Sequence, residues 1–158
     1  MQEKTTDLCD RLGAGARVLA PIFVDLGGRE TFSGKAVTVK CFEDNSRVKE
    51  ICSQLGEGRV LVIDGGGSDR CALFGDHIAK AFADQGWAGV LVNGFVRDKG
   101  VLKTLPLGIR ALGVIPLKSV KRDEGQIGLS LRFAGQLIQP GDMVFADEDG
   151  IVVLSEEG

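Results

Sequence analysis

Two opposite charges, Arg97 and Asp98, directly follow an apolar run, and they are the residues best placed to do chemistry. A guanidinium can hold a carboxylate through two parallel hydrogen bonds, and a carboxylate can bind a divalent cation. Neither charge can follow a buried strand inward without a large desolvation cost, so both should lie at the open end of a sheet, where α/β proteins bind ligands. The plainer alternative is that the pair solvates the strand exit, with Asp98 as the N-cap of the next helix.

A helix that begins at Gly75 is the second element of this candidate site. Apolar side chains recur at helical spacing over residues 78–83, while polar ones point the other way. The first amides of a helix have no partner within the helix, so those of Asp76, His77 and Ile78 can hold an anion. If the chain returns to the same edge of the sheet, these amides and the charged pair line one pocket.

The elements that must position this site alternate along the first two thirds of the chain. Apolar runs predict buried strands over residues 59–64, 90–96 and 109–115, an alternating run predicts a strand over 32–42, and helical patterns cover 6–13, 45–56, 75–86 and 99–105. Residues 18–26 contain Pro21 and indicate an edge strand or an irregular segment. From Gln126 onward, alternation with turn signals predicts a C-terminal antiparallel β-meander packed on the βαβ core.

Length and composition exclude several classes of protein. A chain of 158 residues fits one domain, 1–158, and a net charge of −3 without a basic block argues against direct nucleic-acid binding. The N-terminus is too polar for a signal peptide, and no apolar run approaches the ~18 residues of a membrane span. The four cysteines are scattered, and with one histidine they indicate neither a zinc site nor a disulfide framework. We therefore expect a cytoplasmic protein.

Two other kinds of site are disfavoured by the sequence. Gly65 to Gly67 follow a predicted strand, but a dinucleotide-binding G-x-G-x-x-G would need a glycine at Arg70 and a helix directly afterwards. These glycines either admit a small anion close to the backbone or simply turn the chain. No lysine has an evident place in the predicted pocket, so we favour a metal over a Schiff base. His77 is more typical of a surface residue than of a catalytic one, and the general base stays unassigned.

Several motifs together resemble one family. These are LCD near the N-terminus, GGRETFSGKAVTVKCFEDN, GRVLVIDGGGS, the run from Gly75 to Asp98, and GDMVFADEDGIVVL, in the same order. The chain is identified by them as a member of the RraA-like family, which comprises the regulators of ribonuclease E activity and the metal-dependent 4-hydroxy-4-methyl-2-oxoglutarate aldolases. The resemblance implies a single-domain α/β sandwich of swivelling-domain type, assembled as a ring-shaped homotrimer.

The resemblance also implies roles for individual residues. Aldolase members carry an aspartate, twenty residues and then Arg-Asp, and this chain has Asp76 followed by Arg97 and Asp98 at that spacing. By analogy Asp98 binds a divalent cation, Mg²⁺ or Mn²⁺, Arg97 holds the substrate carboxylate, and Asp76 orients a water on the cation. The amides of Gly75 to Ile78, including that of His77, then cradle the pyruvate part of a 2-keto acid.

Two functions follow from the family. The intact pattern predicts a metal-dependent lyase that releases pyruvate by a retro-aldol reaction and decarboxylates oxaloacetate. Members known chiefly as ribonuclease E inhibitors lack the final aspartate, yet the likeness also permits a regulator that binds ribonuclease E. Longer aldolase members bring an acidic residue from a C-terminal helix into the neighbouring subunit's site, and whether another chain supplies that acid here stays open.

Overall fold

The computed structural model describes residues 2–156, and most of its strands join one mixed sheet. The helices are α1 (Thr5–Leu12), α2 (Ser46–Ile51), α3 (Asp76–Asp84) and α4 (Lys99–Leu102), with a short 3₁₀ turn at Gly13–Gly15. The strands are β1 (Arg17–Val18), β2 (Val24–Asp25), β3 (Phe32–Lys40), β4 (Val60–Asp64), β5 (Ala72–Phe74), β6 (Gly89–Asn93), β7 (Phe95–Val96), β8 (Gly108–Ala111), β9 (Gly113–Val114), β10 (Gln126–Ile127), β11 (Leu131–Phe133), β12 (Gln136–Ile138), β13 (Met143–Asp147) and β14 (Gly150–Leu154).

The main sheet has a parallel centre with antiparallel edges. Its order is β1-β14-β13-β3-β4-β6-β8-β2, with β3, β4, β6 and β8 parallel to their neighbours in that centre. Every residue of β4 is buried, because helices pack on one face and the hairpin of β11 and β12 packs on the other. The segment predicted as an edge strand or irregular indeed supplies β2 at one edge of the sheet.

A second, three-stranded parallel sheet, β5-β7-β9, carries the candidate site. The sequence predicted single strands over residues 90–96 and 109–115, and both predictions are wrong. The chain leaves the main sheet after β6, bends at Gly94, and continues as β7 in the small sheet; the same step separates β8 from β9. The amide of Leu112 donates to the carbonyl of Gly94 at 2.9 Å, so the two breaks are tied together. Apolar periodicity cannot detect such a step, because the residues on both sides of it are mostly apolar.

The predicted helices are present but mostly shorter. α2 ends at Ile51, and Leu55, which the sequence placed on its apolar stripe, is 65% exposed. Asn45 holds the N-cap position of α2 without a capping side-chain bond, and the carboxylate of Asp44 accepts from the amide of Ser46 instead. Strand β5 was not predicted, because Cys71 to Phe74 form too short a run to distinguish from a loop.

The C-terminal strands are antiparallel, as predicted, but they are not a separate layer. β13 pairs with β3 and β14 pairs with β13, so this hairpin extends the main sheet, while β11 and β12 form their own small hairpin. The two larger apolar clusters lie one on each face of the main sheet, and a small third one contains Leu8, Ala16 and Val152. All four cysteines are free thiols, and within residues 2–156 no helix has both the length and the apolar character to cross a membrane.

Candidate functional site

The ends of β5 and β7 bring the helix start and the charged pair together. The amide of Arg97 donates to the carbonyl of Phe74 at 3.0 Å, so the two strands end side by side. The amide of Asp76, at the start of α3, then donates to Oδ2 of Asp98 at 3.0 Å. Residues 75–78 and 97–98 thus line one cleft of about 200 Å³.

Asp98 takes an unusual backbone conformation at this point. Its φ of 66° and ψ of 40° lie in the left-handed region, which aspartate and asparagine tolerate better than most residues. It occupies the N-cap position of α4, but its side chain makes no capping bond there and turns to α3 instead. The plainer alternative, in which the side chain of Asp98 caps the next helix, is therefore wrong. Such strain is typical of functional sites.

Asp76 stays ionised beside a second carboxylate. Burial acts to raise the pKa of Asp76, but the amide and charge of His77, the neighbouring Asp98 and the charge of Lys80 outweigh it and hold this pKa below its ordinary value. The amide of His77 donates to Oδ1 of Asp76 at 2.8 Å. Because the carboxylate of Asp98 accepts from the amide of Asp76, two acidic side chains share this end of the cleft, which favours a cation there.

The predicted amide cradle is partly occupied by the protein itself. The amide of Asp76 is paired with Asp98 and that of His77 with Asp76, which leaves at most those of Gly75 and Ile78 for a ligand. The carboxylates therefore stand where an anionic ligand would accept these bonds. A substrate carboxylate has to compete with them.

Arg97 and His77 differ in how far they reach into the cleft. The Nε of Arg97 lies 3.9 Å from Oδ2 of Asp98, and its Nη1 donates to the carbonyl of Pro116 at 3.5 Å, so the guanidinium spans the cleft. The side chain of His77 is 92% exposed, which agrees with its interpretation as a surface residue. The amide of His77 bonds Asp76, and its imidazole Nε2 lies 3.8 Å from Oδ1 of the same carboxylate.

The remaining wall of the cleft contains residues that the sequence did not place there: Asn45, Lys49, Lys118, Ser119 and Lys121. The expectation that no lysine belongs to the pocket is therefore wrong. All three lysines are exposed, whereas a Schiff-base lysine is usually activated by burial or by a cationic neighbour. Their charges instead favour the entry of anionic ligands.

Asp44 holds this second wall in place. Its carboxylate is fully buried and accepts from the amides of Ser46, Arg122 and Glu124, at 2.8, 2.6 and 3.2 Å. It therefore ties the start of α2 to the loop that carries the lysines. Burial acts to raise the pKa of Asp44, but these hydrogen bonds and that from the Ser46 hydroxyl outweigh it and lower the pKa to about 2.

We expect Asp44→Asn to destabilise the fold and to weaken substrate binding. An amide group cannot accept all of these bonds, so the free energy of unfolding should fall by about 2 kcal/mol, and KM should rise because the loop shifts. Since the pKa of Asp44 is about 2 in the fold and ordinarily 3.8, its stabilising contribution is complete above pH 3.8 and is lost as the pH falls towards 2. Urea unfolding at about pH 5 and about pH 2.5 should show the difference between variant and wild type shrinking.

Asp142→Asn is the matched control for Asp44→Asn. Asp142 is 2% exposed and accepts from Arg17 and from the amide of Gln139, but it lies outside the cleft. The Asp142→Asn substitution should lower the free energy of unfolding without raising KM. Equal KM values for both variants would contradict a positioning role for Asp44.

Gly75 leaves room for the charged pair. A methyl group built on Gly75 would lie 2.9 Å from Oδ2 of Asp98 and 3.3 Å from Cγ of Arg97. Its φ of −148° is open to alanine, so only the contact with these two side chains opposes a substitution.

Gly75→Ala should therefore displace the site without unfolding the protein. If the cleft carries the lyase activity that the sequence predicts, kcat/KM should fall about tenfold or more, since misplacement by about 1 Å can cost 10²-fold, with little change in melting temperature. Gly100→Ala is the control, because a methyl group at Gly100 meets nothing within 4 Å. Unchanged activity in Gly75→Ala would show that the positions of Arg97 and Asp98 do not limit the reaction.

The donor set at this site fits a hard divalent cation. No cluster of three or more His, Cys, Asp or Glu side chains suited to a metal exists within residues 2–156. Asp98 and Asp76 nevertheless both line the cleft, and Mg²⁺ commonly takes one or two protein carboxylates with waters and substrate oxygens. Asp98, at the αL position, and Asp76 are the residues that would hold the ion.

Comparisons with known proteins agree with this fold. The model of the Aldolase/RraA family matches residues 5–153. A presumed 4-hydroxy-4-methyl-2-oxoglutarate aldolase from Alkalilimnicola ehrlichii is 56% identical over 153 residues, which cover 97% of this chain and 95% of the relative. Two solved structures each have a TM-score of 0.95 and 41% identity to this chain. One is an S-adenosylmethionine:2-dimethylmenaquinone methyltransferase from Geobacillus kaustophilus, and the match covers 98% of this chain and 96% of that one. The other is the RNA-processing inhibitor RraA from Thermus thermophilis, and the match covers 100% of this chain and 96% of that one.

Proposed function

Because the chain belongs to the Aldolase/RraA family, we propose that it is a divalent-metal-dependent lyase. It would split 4-hydroxy-4-methyl-2-oxoglutarate and related 2-keto acids to pyruvate by a retro-aldol reaction, and also decarboxylate oxaloacetate. The observation that carries the proposal is the contact between the Asp98 carboxylate and the start of α3, beside Arg97 in one cleft. The names of close relatives support an aldolase, while fold alone does not decide function.

The reaction needs a place for one developing negative charge. In the retro-aldol split the hydroxyl at C4 loses its proton, the bond between C3 and C4 breaks, and its electron pair moves onto the keto oxygen at C2 as an enolate. The C4 fragment leaves as one pyruvate, its former hydroxyl oxygen now a keto oxygen, and protonation of the enolate at C3 gives the second. Decarboxylation of oxaloacetate leaves the same enolate after loss of CO₂. One site that stabilises this oxygen therefore serves both reactions.

Asp98, with Asp76 beside it, would hold a divalent cation, which would supply a Lewis acid for that charge, worth several kcal/mol. Arg97 binds the carboxylate of the 2-keto acid through its guanidinium, which also orients the keto group. Asp76 is held ionised and can keep an ordered water in place beside the ion. The exposed lysines at the second wall attract the anionic substrate.

Pyruvate release measures the proposal directly. We expect release from both 4-hydroxy-4-methyl-2-oxoglutarate and oxaloacetate in the presence of Mg²⁺ or Mn²⁺, and its loss on addition of a chelator. Activity that persists with chelator present would exclude the metal-dependent mechanism. It would favour a Schiff base on one of the lysines of the cleft instead.

Regulation of ribonuclease E is a second candidate, favoured by the likeness to the Thermus inhibitor of RNA processing over the whole chain. The two functions are compatible, because a regulator needs a surface and a lyase needs a cleft. Titration of the purified protein against ribonuclease E tests it. Without binding at micromolar concentration this candidate has no support. The methyltransferase name of the Geobacillus relative is not carried over, since here Gly65 to Gly67 lead into β5 and not directly into a helix.

We also propose that the protein works as a cytoplasmic homotrimer. Apolar side chains lie exposed close to the cleft, at Val114, Leu117 and Val120, with exposed fractions of 45%, 61% and 62%. Such side chains are typical of a contact surface when they are grouped. Light scattering on the purified protein gives the mass of the assembly.

A further inference from the structure

We propose that Asn45 and Ser119 form a subsite that binds a hydroxyl group of the substrate. This inference rests on the proposed lyase function and adds a source of specificity within the same cleft. The hydroxyl in question is the one that a 4-hydroxy-2-keto acid carries and oxaloacetate lacks.

Two buried polar atoms in the cleft have no hydrogen-bond partner among the described residues. They are Oδ1 of Asn45 and Oγ of Ser119, in side chains whose residues are only 7% and 4% exposed. Both residues line the cleft that contains Arg97 and Asp98. Buried polar atoms in folded proteins nearly always have a partner, so an orphaned pair in one cleft indicates a missing ligand group.

The chemistry of the two atoms selects the kind of group. Nδ2 of Asn45 donates to the carbonyl of Leu73 at 3.1 Å, so the donor side of the amide is paired and Oδ1 is left as the unpaired acceptor. A carboxylate or keto oxygen cannot donate to it. The hydroxyl of Ser119 can donate or accept. A ligand hydroxyl that donates to Asn45 and accepts from Ser119 satisfies both atoms.

The subsite adjoins the place proposed for the keto acid. The amide of Ser119 donates to the carbonyl of Ala72 at 3.2 Å, and Asn45 is bonded to Leu73, so both residues are fastened to β5. β5 leads directly into Gly75 and α3. Arg97 bonds the carbonyl of Pro116, three residues before Ser119. One ligand can therefore contact Arg97 at one end and the orphaned pair at the other.

Variants of the pair and two substrates test the inference. Ser119→Ala removes a hydroxyl that has no partner in the fold, so the melting temperature should not fall. We expect the ratio of kcat/KM for 4-hydroxy-4-methyl-2-oxoglutarate to that for oxaloacetate to drop about five- to tenfold in Ser119→Ala, and by at least as much in Asn45→Ala. Ser68→Ala is the matched control, since Ser68 pairs with Glu43 outside the cleft, and it should keep the wild-type ratio.

The possible results distinguish failure of the hydroxyl subsite from failure of the proposed lyase function. An unchanged ratio in both variants, with or without an equal loss for the two substrates, overturns the hydroxyl subsite and leaves the lyase intact. If the wild-type protein releases pyruvate from neither substrate, the proposed function fails, and calorimetry with 4-hydroxy-2-oxoglutarate and 2-oxoglutarate then decides the inference. Tighter binding of the hydroxylated compound, lost in Ser119→Ala, supports the subsite, and equal affinities overturn it.

Discussion

Asp98→Asn is expected to lower kcat/KM for pyruvate release by about 10²- to 10³-fold while the protein still folds. The carboxylate charge is what would hold a divalent cation, and loss of Lewis-acid stabilisation worth several kcal/mol corresponds to that factor. Asparagine tolerates the left-handed conformation at this position, and its side-chain oxygen can still accept from the amide of Asp76. The substitution therefore separates charge from geometry.

Two measurements support the interpretation of Asp98→Asn. Binding of Mn²⁺, followed by calorimetry, should weaken along with activity, whereas the melting temperature should stay close to that of the wild type. Asp84→Asn, an exposed aspartate at the other end of α3, is the control and should change neither quantity. Full activity in Asp98→Asn would remove the basis of the metal-dependent mechanism.

The position of the charged pair could be predicted because it depends on local rules. A buried apolar run followed by Arg97 and Asp98 has to end at a sheet edge, and a helix that begins at Gly75 has to return to that edge if the strands are parallel. The structure places them together, with 3.0 Å between the amide of Asp76 and Oδ2 of Asp98. That the edge belongs to the small sheet could not be predicted, because the step at Gly94 leaves the apolar pattern unchanged.

The second wall of the cleft could not be predicted, because tertiary contacts assemble it. Lys118 and Lys121 lie in a charged loop whose composition is typical of a solvated surface. They reach the cleft because the buried carboxylate of Asp44, next to the start of α2, accepts from the amides of Arg122 and Glu124 in the same loop. One signal was present in the sequence. Asp44 stands directly before Asn45 and Ser46 at a predicted helix start, and aspartate is a favoured capping residue there because its carboxylate accepts from backbone amides.

Arg97→Lys is the second substitution with a large expected effect, and it tests shape where Asp98→Asn tests charge. Lysine keeps the positive charge but loses the planar fork that grips a carboxylate through two bonds. Hydrogen bonds to charged groups contribute about 1.5–3 kcal/mol each, so we expect kcat/KM to fall about 10²-fold. If Arg97 holds the substrate carboxylate in the ground state and in the transition state alike, most of this loss should appear as a higher KM.

Arg70→Lys is the control, because Arg70 is exposed and pairs with Glu43 away from the cleft. A lysine variant with wild-type kinetics would mean that a diffuse positive charge is sufficient, and the exposed lysines beside it would then share the role now assigned to Arg97.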